Sequence, residues 1–348
     1  MPGGCYGRRM KTYRFDALTS LEDLTLHDEP MPAPQRGEVV VRVHAVSLNY
    51  RDLSVVLGNY VHAAMTGLVP CSDAAGEIAA VGEGVTAWKP GDRVISIFHP
   101  RWFGGRPHRT LGHETYGSAQ DGWLCEYKVC SQEAVVALPA GISYAAGCTL
   151  PCAATTAWNA LSGAPPVRAG QTVLTLGTGG VSIFAVQLAK LLGATVIATT
   201  SSSRKGEILK GLGADYVVNY GEIADWGVHV KKALTGGMGV DCVVEVGGPG
   251  TVNQSLHAVR WGGEVVLIGF LTSENPGIDY FHLKGSGATV RAIGVGDRAT
   301  LQDLVRAVEG GRLQPVIDKT FDFADARAAF AHLQAAKHVG KVVIAVGG

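Results

Sequence analysis

Residues 171–193, QTVLTLGTGGVSIFAVQLAKLLG, constrain the fold of this chain more than any other stretch. QTVLTL is a fully apolar strand candidate, and SIFAVQLAKLLG carries apolar residues at helical spacing until Gly193 stops it. Between them sits LGTGGVS, residues 176–182. A strand that turns on glycines straight into a helix opens a βαβ unit, whose helix packs back on a parallel sheet. The alternation continues downstream: TVIATT, DYVVNY, DCVVEVGG and EVVLIGF read as strands, with helix-like segments between them. The expected fold class is therefore α/β, with a doubly wound parallel sheet.

Upstream the texture is different. KTYRFD reads as a first strand, and VVVRVHAVSL (39–48) shows the partial alternation of a half-buried one. GEIAAVGEGVTAWKPGDRVISIF (76–98) consists of short β-branched runs punctuated by Gly, Pro and Asp. After about residue 297 a helix candidate, ATLQDLVRAVEGG, leads into QPVIDKTFDF and GKVVIAV, which return to that β-rich texture. At 348 residues the chain is long enough for two cores. The pattern predicts a β-rich domain over 11–145, completed by about 311–348, and a doubly wound domain over 146–310.

Charge excludes some partners. Thirty basic residues balance 30 acidic ones, so no surplus of Lys and Arg points to nucleic acid or an anionic membrane. No stretch is long and apolar enough for a membrane span, and MPGGCYGRRM lacks the apolar run of a signal peptide. Seven cysteines, an odd count without a framework, read as reduced thiols of a cytoplasmic protein.

The glycine turn carries the first chemistry. Gly177 permits the tight turn and Gly179 lets the backbone approach a pyrophosphate. The turn Gly177-Thr178-Gly179-Gly180-Val181 then presents a helix N-terminus, with free N–H groups and a positive dipole end, to phosphate. Ser182 replaces the third glycine of G-x-G-x-x-G. Together with the flanking strand and helix this predicts a dinucleotide site. An NAD enzyme wants an acid at the end of the next strand, whereas this chain has TTSSSRK (199–205). Hydroxyls of Thr200, Ser201 and Ser202 with the cations Arg204 and Lys205 suit a 2′-phosphate, so the expected cofactor is NADPH.

LNYRDL, GEIAAVGEGVTAWKPGDRV, LPCAATTAW, LGTGGVSIFAVQLAK, GADYVVNY, VEVGGPG and GKVVI occur here in the order found in the medium-chain dehydrogenase/reductase superfamily. The chain resembles that superfamily nearly end to end. The resemblance implies a GroES-like catalytic domain, a Rossmann domain and an active cleft between them. It also implies cofactor contacts at Ser201, Lys205 and Tyr220 on the 2′-phosphate side. Thr156, Gly247, Gly269, Phe270, Leu271, Val295 and Lys341 would lie along the rest of the cofactor.

Zinc members of that superfamily carry three metal ligands, and the resemblance locates their slots here. The first Cys slot holds Asn49, the Gly-His-Glu slot holds Ser72 and Asp73 in PCSDAAGEI, and only Cys152 matches a ligand. A catalytic zinc needs three protein ligands. The LGHE at 111–114 falls some 20 residues after KPGDRV and is therefore out of register with that slot, and it reads as a polar loop. Cys125 and Cys130 lack the partners of a structural four-cysteine site. The chain thus resembles the zinc-independent branch, the quinone oxidoreductases and enoyl or enone reductases.

In that branch the N-x-x-D pair, here Asn49 and Asp52, faces the nicotinamide region, and the Tyr of a G-x-Y stretch, here Tyr60, supplies a proton. Asn and Asp after a strand also serve as helix caps. The stretch 99–123 is long for its place, and Trp102, Phe103 and Trp123 either line a pocket or hold the loop together. The expected reaction transfers hydride from NADPH to a conjugated carbonyl or quinone, a small-molecule substrate. A metal-free carbonyl reductase or alcohol dehydrogenase, and an NADPH-binding protein with little catalysis, are the alternatives. ATVRAIGV (288–295) reads as an edge strand that pairs two copies into a homodimer.

Overall fold

A computed structural model describes residues 7–60, 65–272, 277–310 and 312–347, the side chain of His113 excepted. The chain divides into two compact units, one of residues 1–152 with 296–348 and one of 153–295.

The first unit is built on strands. Strands β1 (Arg9–Phe15) and β2 (Leu24–Pro30) pair antiparallel, followed by β3 (Glu38–Leu48), helix α1 (Tyr50–Val56), β4 (Asp73–Val81), β5 (Arg93–Ser96), β6 (Tyr127–Ser131) and β7 (Val135–Ala137). Strand β3 is the spine. It pairs antiparallel with β4 and β6, and its Val39, Val40, Val41, Val43 and Val46 are all buried. A short helix α2 (Tyr144–Gly147) closes this part of the chain. The strand spans predicted as KTYRFD and VVVRVHAVSL fall on β1 and β3.

A π-helical turn at Leu150–Ala154 carries the chain from the first unit into the second, whose first helix is α3 (Thr155–Leu161). Then come β8 (Thr172–Leu176), α4 (Gly180–Leu191), β9 (Thr195–Thr200), α5 (Ser203–Gly211), β10 (Tyr216–Asn219), α6 (Trp226–His229), β11 (Val240–Glu245), α7 (Val252–Ala258), β12 (Val259–Leu267), α8 (Tyr280–Ser286) and β13 (Thr289–Ala292). Among the described residues the strands form a six-stranded sheet ordered β10-β9-β8-β11-β12-β13, every pairing parallel. Helix α4 exists because Ile183, Phe184, Val186 and Leu188 are buried, each apolar side chain contributing roughly 1.5–3 kcal/mol. Strand order reverses between β8 and β11, the switch point at which doubly wound sheets bind ligands beyond their carboxyl ends.

The chain then returns to the first unit through α9 (Arg298–Val308), β14 (Ile317–Asp322), α10 (Ala326–Gln334) and β15 (Lys341–Ala345). Strand β15 pairs antiparallel with β3, and Phe330 of α10 meets Phe15 edge to face at 5.7 Å. The expected boundary near residue 310 falls instead at Gly296. The reason is local: the amides of Arg298 and Ala299 bond the carbonyls of Trp102 and Phe103, and Arg298 reaches the Glu133 carboxylate. Those anchors tie the start of α9 to the β-rich unit.

Candidate functional site

Within the second unit, the residues expected to hold the cofactor gather at the carboxyl ends of the strands. Gly177 ends β8 with φ +73°, the left-handed conformation the turn needs, and a Cβ there or at Gly179 would project into open space. Thr178 is buried and Val181 lies in the first turn of α4 with Gly180. Ser182 is buried and donates its hydroxyl to the Leu176 carbonyl at 2.6 Å. The serine in the third glycine slot therefore closes the turn with a hydrogen bond of its own.

At the end of β9, Thr200 Oγ1 accepts from the Ser202 amide, and Ser202 caps α5 by accepting from the Lys205 amide at 3.3 Å. Ser201 and Arg204 are exposed and Lys205 is half-buried. Tyr220 stands beside them, its amide bonded to the Thr200 carbonyl at 2.9 Å and its side chain exposed. The loop thus brings together two cations, serine hydroxyls and a phenol.

The loop on the far half of the expected cofactor track is shaped by the Glu of VEVGGPG, whose role the motif alone did not disclose. Glu245, at the end of β11, is fully buried and accepts from the amides of Gly247 at 2.7 Å and Gly248 at 3.0 Å, and from the hydroxyls of Thr251 and Ser255. That carboxylate shapes the loop after β11. Gly269 follows β12, and a Cβ there would collide with the Val246 carbonyl, so the two loops touch backbone to backbone. Phe270 and Leu271 are exposed beyond it. Val295, after β13, has φ +59° although β-branched, and its carbonyl accepts from Asn159 of α3 at 2.6 Å. Thr156 is buried in the first turn of α3. A separate cavity of about 430 Å³ lies at the amino ends of these strands, between Thr172, Tyr216 and Arg260. Doubly wound sheets bind ligands at the opposite edge, the one that carries the glycine turn.

Of the expected catalytic residues, Asn49 and Asp52 lie in a buried polar cluster of the first unit, and Tyr60 is half-buried beside its Arg51. Asp52 is 1 % exposed, and its Oδ2 accepts from the Asn49 amide at 2.8 Å, capping α1. Burial pushes its pKa up to about 6 against the opposing pull of Arg51. Asp52, expected to face the nicotinamide region, is enclosed as the cap of α1 and the counter-ion of Arg51.

Arg51 is buried too. Its Nη1 lies 3.2 Å from Asp52 Oδ1 and donates to the Tyr116 carbonyl at 2.9 Å. Its guanidinium packs 5.2 Å from the centre of the Tyr60 ring and 4.9 Å from that of Phe98, and it hydrogen-bonds the Tyr60 phenol. Burial works against its charge, but Asp52 and Tyr60 more than offset that, and its pKa rises. The sequence reading missed Arg51. Its signal was a charged residue inside the buried N-x-x-D turn.

Lys341, expected along the cofactor, is 3 % exposed and donates to the Leu48 carbonyl at 2.6 Å and to Asn49 Oδ1. Asp73 accepts from the Ser72 hydroxyl at 2.6 Å and from the Cys152 amide at 3.1 Å. The π-helical turn around Pro151 presents that Cys152 amide. Asp73 is raised by burial, with Lys341 and the hydrogen bond of Ser72 opposing, and burial carries the Cys152 thiol far above its ordinary value.

These residues do not fit a catalytic zinc. Asn49 offers an amide oxygen already engaged by an ammonium, Ser72 a hydroxyl engaged by Asp73, and Cys152 a thiol whose ionisation burial opposes. Among the described residues no group of three His, Cys, Asp or Glu is arranged to hold a metal. In the loop at 111–114, Leu111–His113 form a 3-10 turn and Glu114 is bound by Arg101 and Thr110, which hold its pKa down to about 2. The side chain of His113 lies outside the described residues. Trp123 is fully buried, edge to face with Tyr116 at 5.5 Å, so it holds the loop rather than lining a pocket. Phe103 stays exposed beside Arg298, 5.1 Å from its guanidinium.

Comparison with known proteins agrees with this architecture. A model of the alcohol dehydrogenase GroES-like domain matches residues 35–140, and one described as zinc-binding dehydrogenase matches 180–310. Neither Asn49, Ser72, Asp73 nor Cys152 lies in the second of these matches. A zinc-type alcohol dehydrogenase-like protein of Schizosaccharomyces pombe is 38% identical over 330 residues, 92% of this chain and 95% of that protein. An acryloyl-coenzyme A reductase of Metallosphaera sedula is 30% identical, over 90% of this chain and 93% of that one. A thermostable alcohol dehydrogenase structure from Pyrobaculum aerophilum is 32% identical with a TM-score of 0.82, covering 97% of this chain and all of that one.

Proposed function

Because the chain belongs to the medium-chain dehydrogenase/reductase superfamily and is an oxidoreductase of that type, we propose that it is a metal-independent, NADPH-dependent reductase of conjugated carbonyls or quinones. The observation that carries this reading is the occupancy of the family's ligand slots by Asn49, Ser72, Asp73 and Cys152 around the Lys341 ammonium. Similarity to acryloyl-coenzyme A reductases and to a chloroplastic quinone oxidoreductase of Triphysaria versicolor supports the substrate class.

Bound NADPH would supply hydride to the β-carbon of a polarised alkene. The loop at Ser201, Ser202, Arg204, Lys205 and Tyr220 would hold its 2′-phosphate, and the turn 177–181 its pyrophosphate. As negative charge develops on the substrate carbonyl oxygen, it needs a preorganised donor. Tyr60, polarised by the Arg51 guanidinium against its phenol, fills that role and carries the proton for the α-carbon from Oη. Asp52 and Lys341 hold Arg51 and Asn49 in place. The same reading places the protein in the cytoplasm, with its described cysteines buried, and as a homodimer joined along β13.

A metal-free carbonyl reductase is the second reading, supported by similarity to alcohol dehydrogenases. The deciding experiment follows NADPH absorbance with matched enone and saturated ketone pairs, with and without a strong chelator. The proposal expects the enone to be turned over preferentially and the chelator to leave the rate unchanged. Faster turnover of the saturated ketone, or loss of activity with the chelator, overturns it.

A further inference from the structure

Lys341 and Asn49 meet because β15 runs antiparallel to β3, with Val342 opposite Leu48. That register sets Lys341 beside the end of β3, where its Nζ donates to the Leu48 carbonyl and to Asn49 Oδ1. An ammonium can only donate, so it turns the Asn49 oxygen towards itself, and the buried amide nitrogen is left without a hydrogen-bond partner among the described residues. Asp73 is bound by Ser72 and by the Cys152 amide. Ser72, Asp73 and Cys152 are thus joined to one another, and Asn49 is joined to the buried Lys341, whose charge also acts on Asp73. Asp52 and Asp73 supply two negative charges, and Arg51 and Lys341 two positive ones. The cluster is balanced by its own side chains.

We propose that Lys341 is the resident cation of this site, a positioning residue that fixes the Asn49 amide, balances Asp73 and bars a divalent metal from the vacated ligand slots. A divalent ion entering beside the ammonium would meet strong repulsion in a poorly solvated environment. Removing the ammonium leaves two carboxylates against Arg51 alone, and that excess favours an external cation. The kinetic half of the proposal rests on the reductase reading. The metal half does not.

The experiment uses the purified full chain and cobalt(II) as the metal probe. Wild type, dialysed against cobalt, should retain well under one ion per chain, whereas the double variant Lys341→Met, Asn49→Cys should retain close to one, with a thiolate charge-transfer band. Lys341→Met alone should lower kcat on an enone by about tenfold or more while NADPH affinity stays within about threefold. In Lys341→Ala, added ethylammonium should restore part of that kcat and tetramethylammonium should not. Stoichiometric cobalt in the wild type overturns the proposal. So does a Lys341→Met variant that loses NADPH affinity about tenfold at unchanged kcat, since Lys341 would then serve the cofactor. If the variants fail to fold, wild-type cobalt retention decides alone. Absence of turnover on every conjugated acceptor sinks the reductase reading and leaves the cobalt result standing.

Discussion

Asn159 donates its side-chain amide to the Val295 carbonyl at 2.6 Å, joining residues 136 apart in the chain. Val295 sits at φ +59°, a conformation that costs a β-branched residue about 1–3 kcal/mol and persists only where the surroundings enforce it. Asn159 is itself held by Arg291, which also pairs with Glu264 at 2.7 Å. Replacing Asn159 with Ala should therefore destabilise the protein by about 1–3 kcal/mol in urea unfolding. A midpoint unmoved by the substitution would mean that other contacts enforce the Val295 backbone.

This relationship marks the limit of what the sequence discloses. The glycine turn was legible because all of its parts are local: an apolar strand, Gly177, Gly179 and a helix of periodic apolar residues lie within 23 positions. The parallel strands were legible for the same reason, although β12 begins at Val259, ahead of its predicted start, because WGG at 261–263 hides the strand. Partners distant in sequence leave no such pattern. Nothing near Asn49 announces Lys341, and nothing near Asp73 announces the Cys152 amide, whose direction depends on a π-helical turn that a proline disguises. Glu245 looks like one more polar residue after an apolar run until its four donors are seen.

Asp52 gives a pH dependence with a definite sign. Its pKa is raised from 3.8 to about 6, chiefly by burial, so the folded state holds an extra proton between those values. Its contribution favours the fold below the unfolded pKa and is lost as pH rises through about 6, a change of about 3 kcal/mol. Asp52→Asn lacks this titration. The stability of the wild type relative to the variant should fall by that order between about pH 4 and 7, measured by urea unfolding at each pH. A constant difference would show that Asp52 ionises normally in the folded protein.

Tyr60→Phe isolates the proton donor. It keeps the ring beside Arg51 and removes only the phenol oxygen. On an enone, kcat/KM should drop by about a hundredfold or more, the usual contribution of a positioned general acid, with NADPH binding unchanged. Wild-type rates in this variant would assign the proton to another group.

The sheet order ends at β13, whose outer edge is unpaired among the described residues, with Trp261, Tyr280 and Phe281 exposed in the same unit. Apolar surface near a free strand edge favours pairing with a second copy. Light scattering at micromolar concentration should give a dimer. Ala292→Glu, on an exposed position of β13, should bring like charges together across a two-fold axis and weaken the dimer about tenfold or more. A monomeric wild type would remove the basis for this interface.

Cofactor choice is the sharpest test of the loop after β9. The 2′-phosphate of NADPH carries nearly two negative charges. Arg204 and Lys205 begin α5 beside the hydroxyls of Ser201 and Ser202, and no acid stands in TTSSSRK. Lys205→Ala should remove one charge-assisted contact, worth roughly 1.5–3 kcal/mol, and weaken NADPH by about tenfold or more. NADH has no phosphate to lose, so its binding should scarcely change. Arg204 is exposed and its contact is diluted by water, so Arg204→Ala should act in the same direction but less. The ratio of kcat/KM with NADPH to that with NADH, in wild type and in Lys205→Ala, reads this directly. A wild type that prefers NADH, or a substitution that weakens both cofactors alike, would separate this loop from phosphate recognition.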